Sequence, residues 1–315
     1  MMKLKLGTRD SILALWQANF IKDILESKNI EVELKPIKTK GDKILDTPLH
    51  KIGGKGLFTK ELENALLSGE IDFAVHSLKD VPVEIPSGLS LVAITKREDD
   101  SDSLLSFKYK DIASLPQNAK VGTTSLRRTT QLKLMRKDID SISLRGNVQT
   151  RLRKLESGEF DAIILASAAL NRLELREKIP FITRLDFIPA MGQGALGIEC
   201  RSEDSKIKPI DSKIYEVLQS LEDIDTALCC SLERSFIKGL NGGCQVPIGV
   251  HVSLHNPSNL LHFKAIMSDL ECKKVIKKEL SFERKDSLKS IDSIVNYFIE
   301  NGAKEILEAI AKSLD

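Results

Sequence analysis

Aromatic side chains are scarce in this 315-residue sequence, at 5% of the whole with a single Trp. Single-stranded nucleic-acid platforms stack successive bases on aromatic faces, so the scarcity argues against one and no nucleic-acid partner is expected. Cysteine is sparse and odd in number, the 5 being Cys200, Cys229, Cys230, Cys244 and Cys272. No C-x-x-C pair occurs and no His stands at a zinc-ligand spacing from them, so neither a disulfide framework nor a metal site is expected. Cys200, Cys229 and Cys230 lie in apolar or helical contexts and read as small buried hydrophobes. No apolar run approaches the length of a membrane span. The opening stretch Met1–Gly7 is strand-like and lacks both the apolar core of a signal peptide and an Arg/Ser-rich transit character. No membrane partner and a cytoplasmic location follow as expectations. Neither sign of charge dominates, the formal net charge being +2.

What is present is a short apolar run with a polar end, Ile71-Asp72-Phe73-Ala74-Val75-His76-Ser77-Leu78-Lys79-Asp80-Val81-Pro82. The run suits a strand covered on both faces, and Pro82 pushes Val81 out of helical geometry. In open parallel sheets ligands bind beyond the carboxyl ends of the strands. Asp80 is therefore the candidate for chemistry, against the plainer possibility that it caps a turn.

The first half of the chain repeats itself. Ser68-Gly69-Glu70-Ile71-Asp72 matches Ser157-Gly158-Glu159-Phe160-Asp161, and Lys5-Leu6-Gly7-Thr8 matches Lys120-Val121-Gly122-Thr123. A strand over Ile30–Ile37 parallels one over Ile139–Arg145. Only the first copy carries a long glycine-rich connection, 40–56, before a helix over Leu57–Leu67; Lys51 and Lys55 in it are candidate contacts for an acidic ligand. Two α/β lobes of one topology are expected, with crossings near 96–102 and 189–195. A charged, turn-rich hinge would mark the first crossing. Arg9 stands where a strand runs through a Gly turn into a helix, a favourable place for an anion.

Arginines gather in the second lobe. Arg127 and Arg128 open a helix after Ser125, where the dipole disfavours cations, so they call for an external anion. Arg145 ends a strand, Arg151 begins a helix and Arg172 follows a strand; Arg suits bidentate carboxylate recognition. Beyond Lys208, Leu221, Ile224, Leu228, Leu232 and Phe236 mark one face of a long helix. After it come Gly242-Gly243-Cys244-Gln245-Val246-Pro247, three strands and two helices, a small α+β domain. A thiol in a glycine-rich loop is open to a bulky adduct and can act as a nucleophile; the alternative is a turn cysteine with no role.

Taken together the segments closely resemble the porphobilinogen deaminase (hydroxymethylbilane synthase) family. The carriers are Gly7-Thr8-Arg9-Asp10-Ser11, Gly53-Gly54-Lys55-Gly56-Leu57-Phe58, His76 through Pro82, Ser125-Leu126-Arg127-Arg128, Arg145-Gly146-Asn147-Val148, Gly192-Gln193-Gly194-Ala195 and Gly242 through Pro247. Ile12, Leu78 and Ala169 depart from the usual Pro, Met and Gly. The resemblance implies an α/β fold of two periplasmic-binding-protein-like (type II) lobes plus a C-terminal α+β domain with a three-stranded antiparallel sheet. Their bounds are 1–96 with 190–214, 101–189, and 218–315. It implies a dipyrromethane cofactor, one per chain, held as a thioether on Cys244, and porphobilinogen as substrate, condensed with loss of ammonia to hydroxymethylbilane. By the same resemblance Asp80 is catalytic. Ser77, Lys79, Thr123, Ser125, Arg127, Arg128 and Arg145 contact cofactor, while Arg9, Lys51, Lys55, Phe58, Arg151, Arg172 and Gln193 contact substrate. A monomer is expected, since no long apolar surface stripe stands out. Two rivals are a non-catalytic acid-binding clamshell, which leaves Cys244 unexplained, and a thiol hydrolase. For the latter, His251 and His255 show no evident orienting carboxylate.

Overall fold

The structure, a computed structural model, describes residues 2–43, 56–205, 209–242, 246–255 and 258–314. Two compact units emerge, one built from Met1–Leu45, Gly54–Glu98 and Gly194–Ala227, the other chiefly from Asp99–Gln193 and Leu228–Asp315. The first begins with β1 (Met2–Arg9), α1 (Ile12–Glu26), β2 (Ile30–Ile37) and a short α2 (Lys40–Lys43). It continues with α3 (Lys60–Ser68), β3 (Phe73–Ser77) and β4 (Leu89–Ile94). In the second unit follow β5 (Asp102–Ser106), β6 (Lys120–Gly122), α4 (Leu126–Met135), β7 (Asp140–Ile142), α5 (Val148–Glu156), β8 (Ala162–Ala166), α6 (Ser167–Arg172) and β9 (Phe181–Leu185). The chain then returns to the first unit for β10 (Leu196–Arg201) and α7 (Ser212–Gln219), before α8 (Ile224–Gly239). It ends in β11 (Ile248–His255), β12 (Leu260–Ser268), β13 (Val275–Glu283), α9 (Ser287–Glu300) and α10 (Ala303–Leu314).

The repeat in the sequence is a repeat in topology. The strand orders are β2-β1-β3-β10-β4 and β7-β6-β8-β5-β9, so β1, β2, β3, β10 and β4 correspond to β6, β7, β8, β5 and β9. This is the strand order of a type II periplasmic-binding-protein lobe. In each sheet four strands share one direction, and β10 or β5 enters antiparallel between two of them. The matched pentapeptides do the same work twice. Gly69 and Gly158 end their helices near φ 75° and 78°, a region that costs glycine little. Three residues on, Asp72 Oδ2 accepts the Lys5 N–H at 2.8 Å and Asp161 Oδ2 accepts the Lys120 N–H at 2.8 Å. Each acid thereby satisfies a backbone donor of the neighbouring strand one residue before the two strands pair.

The first sheet is buried on both faces, as the unbroken apolar run of β3 demands. Phe73 and Val75 pack with Leu4, Leu6, Ile21 and Leu25 on the α1 side, and Ala74 packs with Leu62 and Leu66 of α3 on the other. The C-terminal sheet, order β11-β12-β13, is antiparallel throughout. Phe236 of α8 anchors it, meeting Phe263 and Phe298 edge-on at 5.3 and 5.0 Å between ring centroids, a favoured aromatic geometry.

Three boundaries differ from the sequence expectation. The helix after the glycine-rich connection starts at Lys60 rather than Leu57, because Gly56 takes φ 79° and a turn precedes the first helical residue. The strand expected over 139–145 pairs only over Asp140–Ile142; Gly146 at φ 109° turns the chain away into α5. The helix expected to include Leu221 is two helices, with Asp223 capping the second by accepting the Thr226 N–H at 2.9 Å.

Candidate active site

Asp80 sits on a single tight turn, Leu78–Asp80, directly after β3. The turn is tethered on every side. Leu78 is fully buried and its N–H donates to the Ala195 carbonyl at 3.0 Å; the Val81 N–H closes the turn on the Leu78 carbonyl at 3.1 Å. Gln17, buried on α1, donates through Nε2 to the Ser77 hydroxyl at 2.9 Å. Lys79 and Asp80 themselves are half-buried. The backbone that carries the Asp80 carboxylate is therefore held in place, as the support of a charge-stabilising group requires. The corresponding end of β8 carries no acid; Ser167 there is fully buried and bonded to the Ser101 and Ser103 hydroxyls at 2.7 Å each.

Elsewhere in the first unit, Arg9 and Phe58 come together. The Arg9 guanidinium lies 4.4 Å from the centroid of the Phe58 ring, within cation–π range. It also forms an ion pair with Asp42, Nε to Oδ2 measuring 3.2 Å. Burial pulls the Asp42 carboxyl up, but Arg9 and the Thr39 hydroxyl, 2.7 Å away, outweigh it and leave it below its ordinary value. Lys51 and Lys55 lie outside the described residues.

In the second unit the predicted residues converge on an acid that the sequence did not single out. Asp102, fully buried at the start of β5, accepts from Arg127 Nη1 at 2.6 Å, from Arg128 Nε and Nη2 at 3.0 and 2.7 Å, and from Gln193 Nε2 at 3.1 Å. The same arginines donate to backbone carbonyls, Arg127 to Ile188 and Arg128 to Ile164, both at 2.9 Å. The anion demanded by two cations at the start of α4 thus has an internal answer, contrary to the expectation that it must come from outside. One carboxylate against two guanidiniums still leaves a surplus positive charge in a buried place. Burial pulls the Arg128 pKa down while Asp102 supports its charge. Ser125 caps α4, its hydroxyl accepting the Arg128 N–H at 3.4 Å, and the Thr123 hydroxyl accepts the Ser125 N–H at 3.2 Å. Arg145 and Arg172 are buried, Arg145 with its pKa lowered by burial. Arg151 is half-buried on α5 and donates to the Gly146 carbonyl at 2.8 Å.

Cys244 lies outside the described residues. His251 has a carboxylate partner after all, its Nε2 standing 2.5 Å from Asp100 Oδ2. That corrects the expectation of none, since Asp100 belongs to the charged run read as a hinge. Burial pushes the Cys200 thiol up to about 12, which suits an inert core residue. Among the described residues no helix is long and apolar enough to cross a membrane.

The family profile described as "Porphobilinogen deaminase, dipyromethane cofactor binding domain" matches residues 4–209, and its "C-terminal domain" counterpart matches residues 227–291. A curated relative named porphobilinogen deaminase, from Helicobacter acinonychis, is 54% identical over 98% of this chain and 98% of its own. Another from Nitratiruptor is 52% identical over 98% of this chain and 96% of its own. The chain belongs to the porphobilinogen deaminase family. The family's enzymes are transferases of porphyrin biosynthesis, and the domain matched by residues 4–209 is the one that binds dipyrromethane. Among solved structures, the periplasmic VFT2 domain of Bordetella pertussis BvgS is similar at TM-score 0.42 and 12% identity, covering 70% of this chain and 86% of that one.

The acid on which Arg127, Arg128 and Gln193 converge, Asp102, is a residue that sequence reasoning missed. Its one signal was an acid at the head of the apolar strand Asp102-Ser103-Leu104-Leu105.

Proposed function

We propose that this enzyme condenses four porphobilinogen molecules head to tail, with loss of ammonia at each addition, and releases hydroxymethylbilane by hydrolysis. Asp80 is the catalytic carboxylate. When the aminomethyl C–N bond of porphobilinogen breaks, the electron pair leaves with ammonia and positive charge spreads over the pyrrole to its N–H. A fixed carboxylate at that N–H lowers the energy of the charge as it develops. The free α-carbon of the acceptor pyrrole then attacks the methylene carbon and gives up its proton, which Asp80 is suited to accept. The observation that carries this assignment is the tethered turn that bears Asp80 at the end of a buried strand.

The residues of the second unit fit a dipyrromethane by charge: its acetate and propionate groups are anionic, and the Arg127–Arg128–Asp102 group is net cationic. When bound through Cys244, the cofactor supplies the pyrrole end to which substrate units are added. Arg127, Arg128 and Arg145, with Thr123, Ser125, Ser77 and Lys79, hold its polar groups. Arg9, Phe58, Arg151, Arg172, Gln193, Lys51 and Lys55 receive incoming substrate. Three domains divide this work: 1–96 with 190–214, 101–189, and 218–315. We take the enzyme to act as a cytoplasmic monomer without a nucleic-acid partner, a reading supported by its near-neutral charge and sparse aromatics.

The deciding experiment combines intact mass with turnover. Cys244→Ala should lose a covalent dipyrrole that the parent protein carries. Asp80→Asn should keep it and release ammonia from porphobilinogen far more slowly. An unmodified parent protein, or near-normal turnover in Asp80→Asn, would overturn the assignment.

A further inference from the structure

The first unit buries a second polar cluster that the reaction above leaves unused. Gly197 and Glu199 of β10 stand opposite His76 and Ala74 of β3, so Glu199 and His76 are diagonal neighbours on one face of the sheet. Their side chains are 1% and 3% exposed, and His76 Nε2 lies 2.9 Å from Glu199 Oε2. The other carboxylate oxygen, Glu199 Oε1, is buried with no hydrogen-bond partner among the described residues. α3 closes this face and brings Glu63, whose Oε1 accepts from the Thr59 hydroxyl at 2.5 Å. Burial pushes the Glu63 carboxyl above its ordinary value; Thr59 opposes this and Glu199 adds to it. The nearby His76 also opposes that rise. The remaining cation on this face, Arg201, is engaged elsewhere, donating to the Leu66 and Ile71 carbonyls at 2.7 and 2.8 Å and lying 3.6 Å from Asp72. Glu199 is thus left with His76 as its one partner among these groups.

An imidazole and two carboxyls in an apolar core are a costly arrangement, and apolar side chains of like volume would generally be no less stable. Their position in the chain indicates a use. His76 and Ser77 are consecutive and point to opposite faces of β3. The first is bonded across the sheet to Glu199, the second to Gln17 of α1. The next residue begins the turn that ends in Asp80. The strand is thus fixed against rolling about its own axis immediately ahead of the carboxylate. Gly197 leaves room here, because a Cβ there would stand 2.9 Å from Leu91 Cδ1 on β4 and 3.1 Å from Leu78 Cδ1 on that turn.

We propose that the His76–Glu199 pair is a positioning device for the reaction, fixing the direction of the Asp80 carboxylate through the backbone of residues 76–80. Small misplacements of a reacting group cost about 10-fold to 100-fold in rate. Glu199→Gln, which preserves size while removing the charge, should lower kcat for porphobilinogen consumption by about 10-fold, with KM little changed and the covalent cofactor intact by mass.

A double-variant cycle separates positioning from general stability. If the pair acts through Asp80, Glu199→Gln should slow Asp80→Asn hardly at all, while the two substitutions lower the melting temperature additively. The proposal rests on Asp80 as the charge-stabilising group, and the two fail differently. Near-normal turnover in Asp80→Asn removes both. A slow Asp80→Asn with an equal further loss from Glu199→Gln, or a Glu199→Gln that only melts lower, removes the positioning role alone. Should Glu199→Gln not fold, His76→Gln carries the same cycle.

Discussion

Removing Asp102 should expose how the second unit tolerates two guanidiniums in its interior. The acid is fully buried and accepts hydrogen bonds from Arg127, twice from Arg128, and from Gln193. Asp102→Ala leaves both cations without their common counter-charge and strands the Gln193 amide. Breaking a buried ion pair from one side costs about 3–5 kcal/mol. In a body of this size about 1 kcal/mol moves the melting temperature by roughly 2–4 °C, so a fall of about 6–20 °C is expected in a thermal melt. A companion variant tests the reasoning from the other direction. Asp102→Leu combined with Arg127→Met and Arg128→Met replaces the group with apolar side chains and should melt within a few degrees of the parent. It should also carry no cofactor by intact mass, since the cationic surplus is gone. A drop smaller than about 2 °C for Asp102→Ala would refute the account of Asp102 as the counter-ion.

Arg145→Leu and Arg172→Leu should slow successive additions more than folding, visible by native electrophoresis as stalled enzyme–substrate species; a lowered melting temperature alone would make both arginines structural. Asp42, held below its ordinary value, contributes stability above the usual carboxylate range and loses it as the pH falls through its lowered pKa. Asp42→Asn should therefore melt lower at neutral pH, by the equivalent of about 0.5–1 kcal/mol, and the gap should close in acid. Gly194 takes φ +92°, and a Cβ there would stand 2.4 Å from the Glu98 carbonyl oxygen. Gly194→Ala should cost about 1–3 kcal/mol for the backbone strain alone, read from its urea midpoint; an unchanged midpoint would refute it.

The parts of the fold that sequence made legible are those fixed within a few residues. The pentapeptides ending in Asp72 and Asp161 could be matched because a left-handed glycine and an acid bonding a neighbouring strand's N–H leave a local pattern. The buried β3 and its polar end were legible for the same reason, as was Arg127-Arg128 at a helix start. What could not be read was pairing across the chain. Asp102 ends the charged run read as a hinge, and only the sheet shows that its side chain turns inward. Arg9 gave no sign of Asp42, nor His76 of Glu199, because each partner arrives through tertiary contact rather than spacing. The antiparallel entry of β10 between β3 and β4 was invisible too, since an apolar strand looks alike in either direction.

That entry bears on how the protein is made. β3 and β4 are complete by Ile94, yet the strand that joins them does not exist until Arg201 has been synthesised. At about 5–20 residues per second, a ribosome holds the nascent chain for roughly 5–20 s with two buried-type strands lacking their shared neighbour. Exposed strand edges of that kind are templates for wrong partners. The vulnerable moment in this enzyme's life is therefore its birth, and variants that weaken β10 should first reveal themselves as chaperone-bound or aggregated nascent chains.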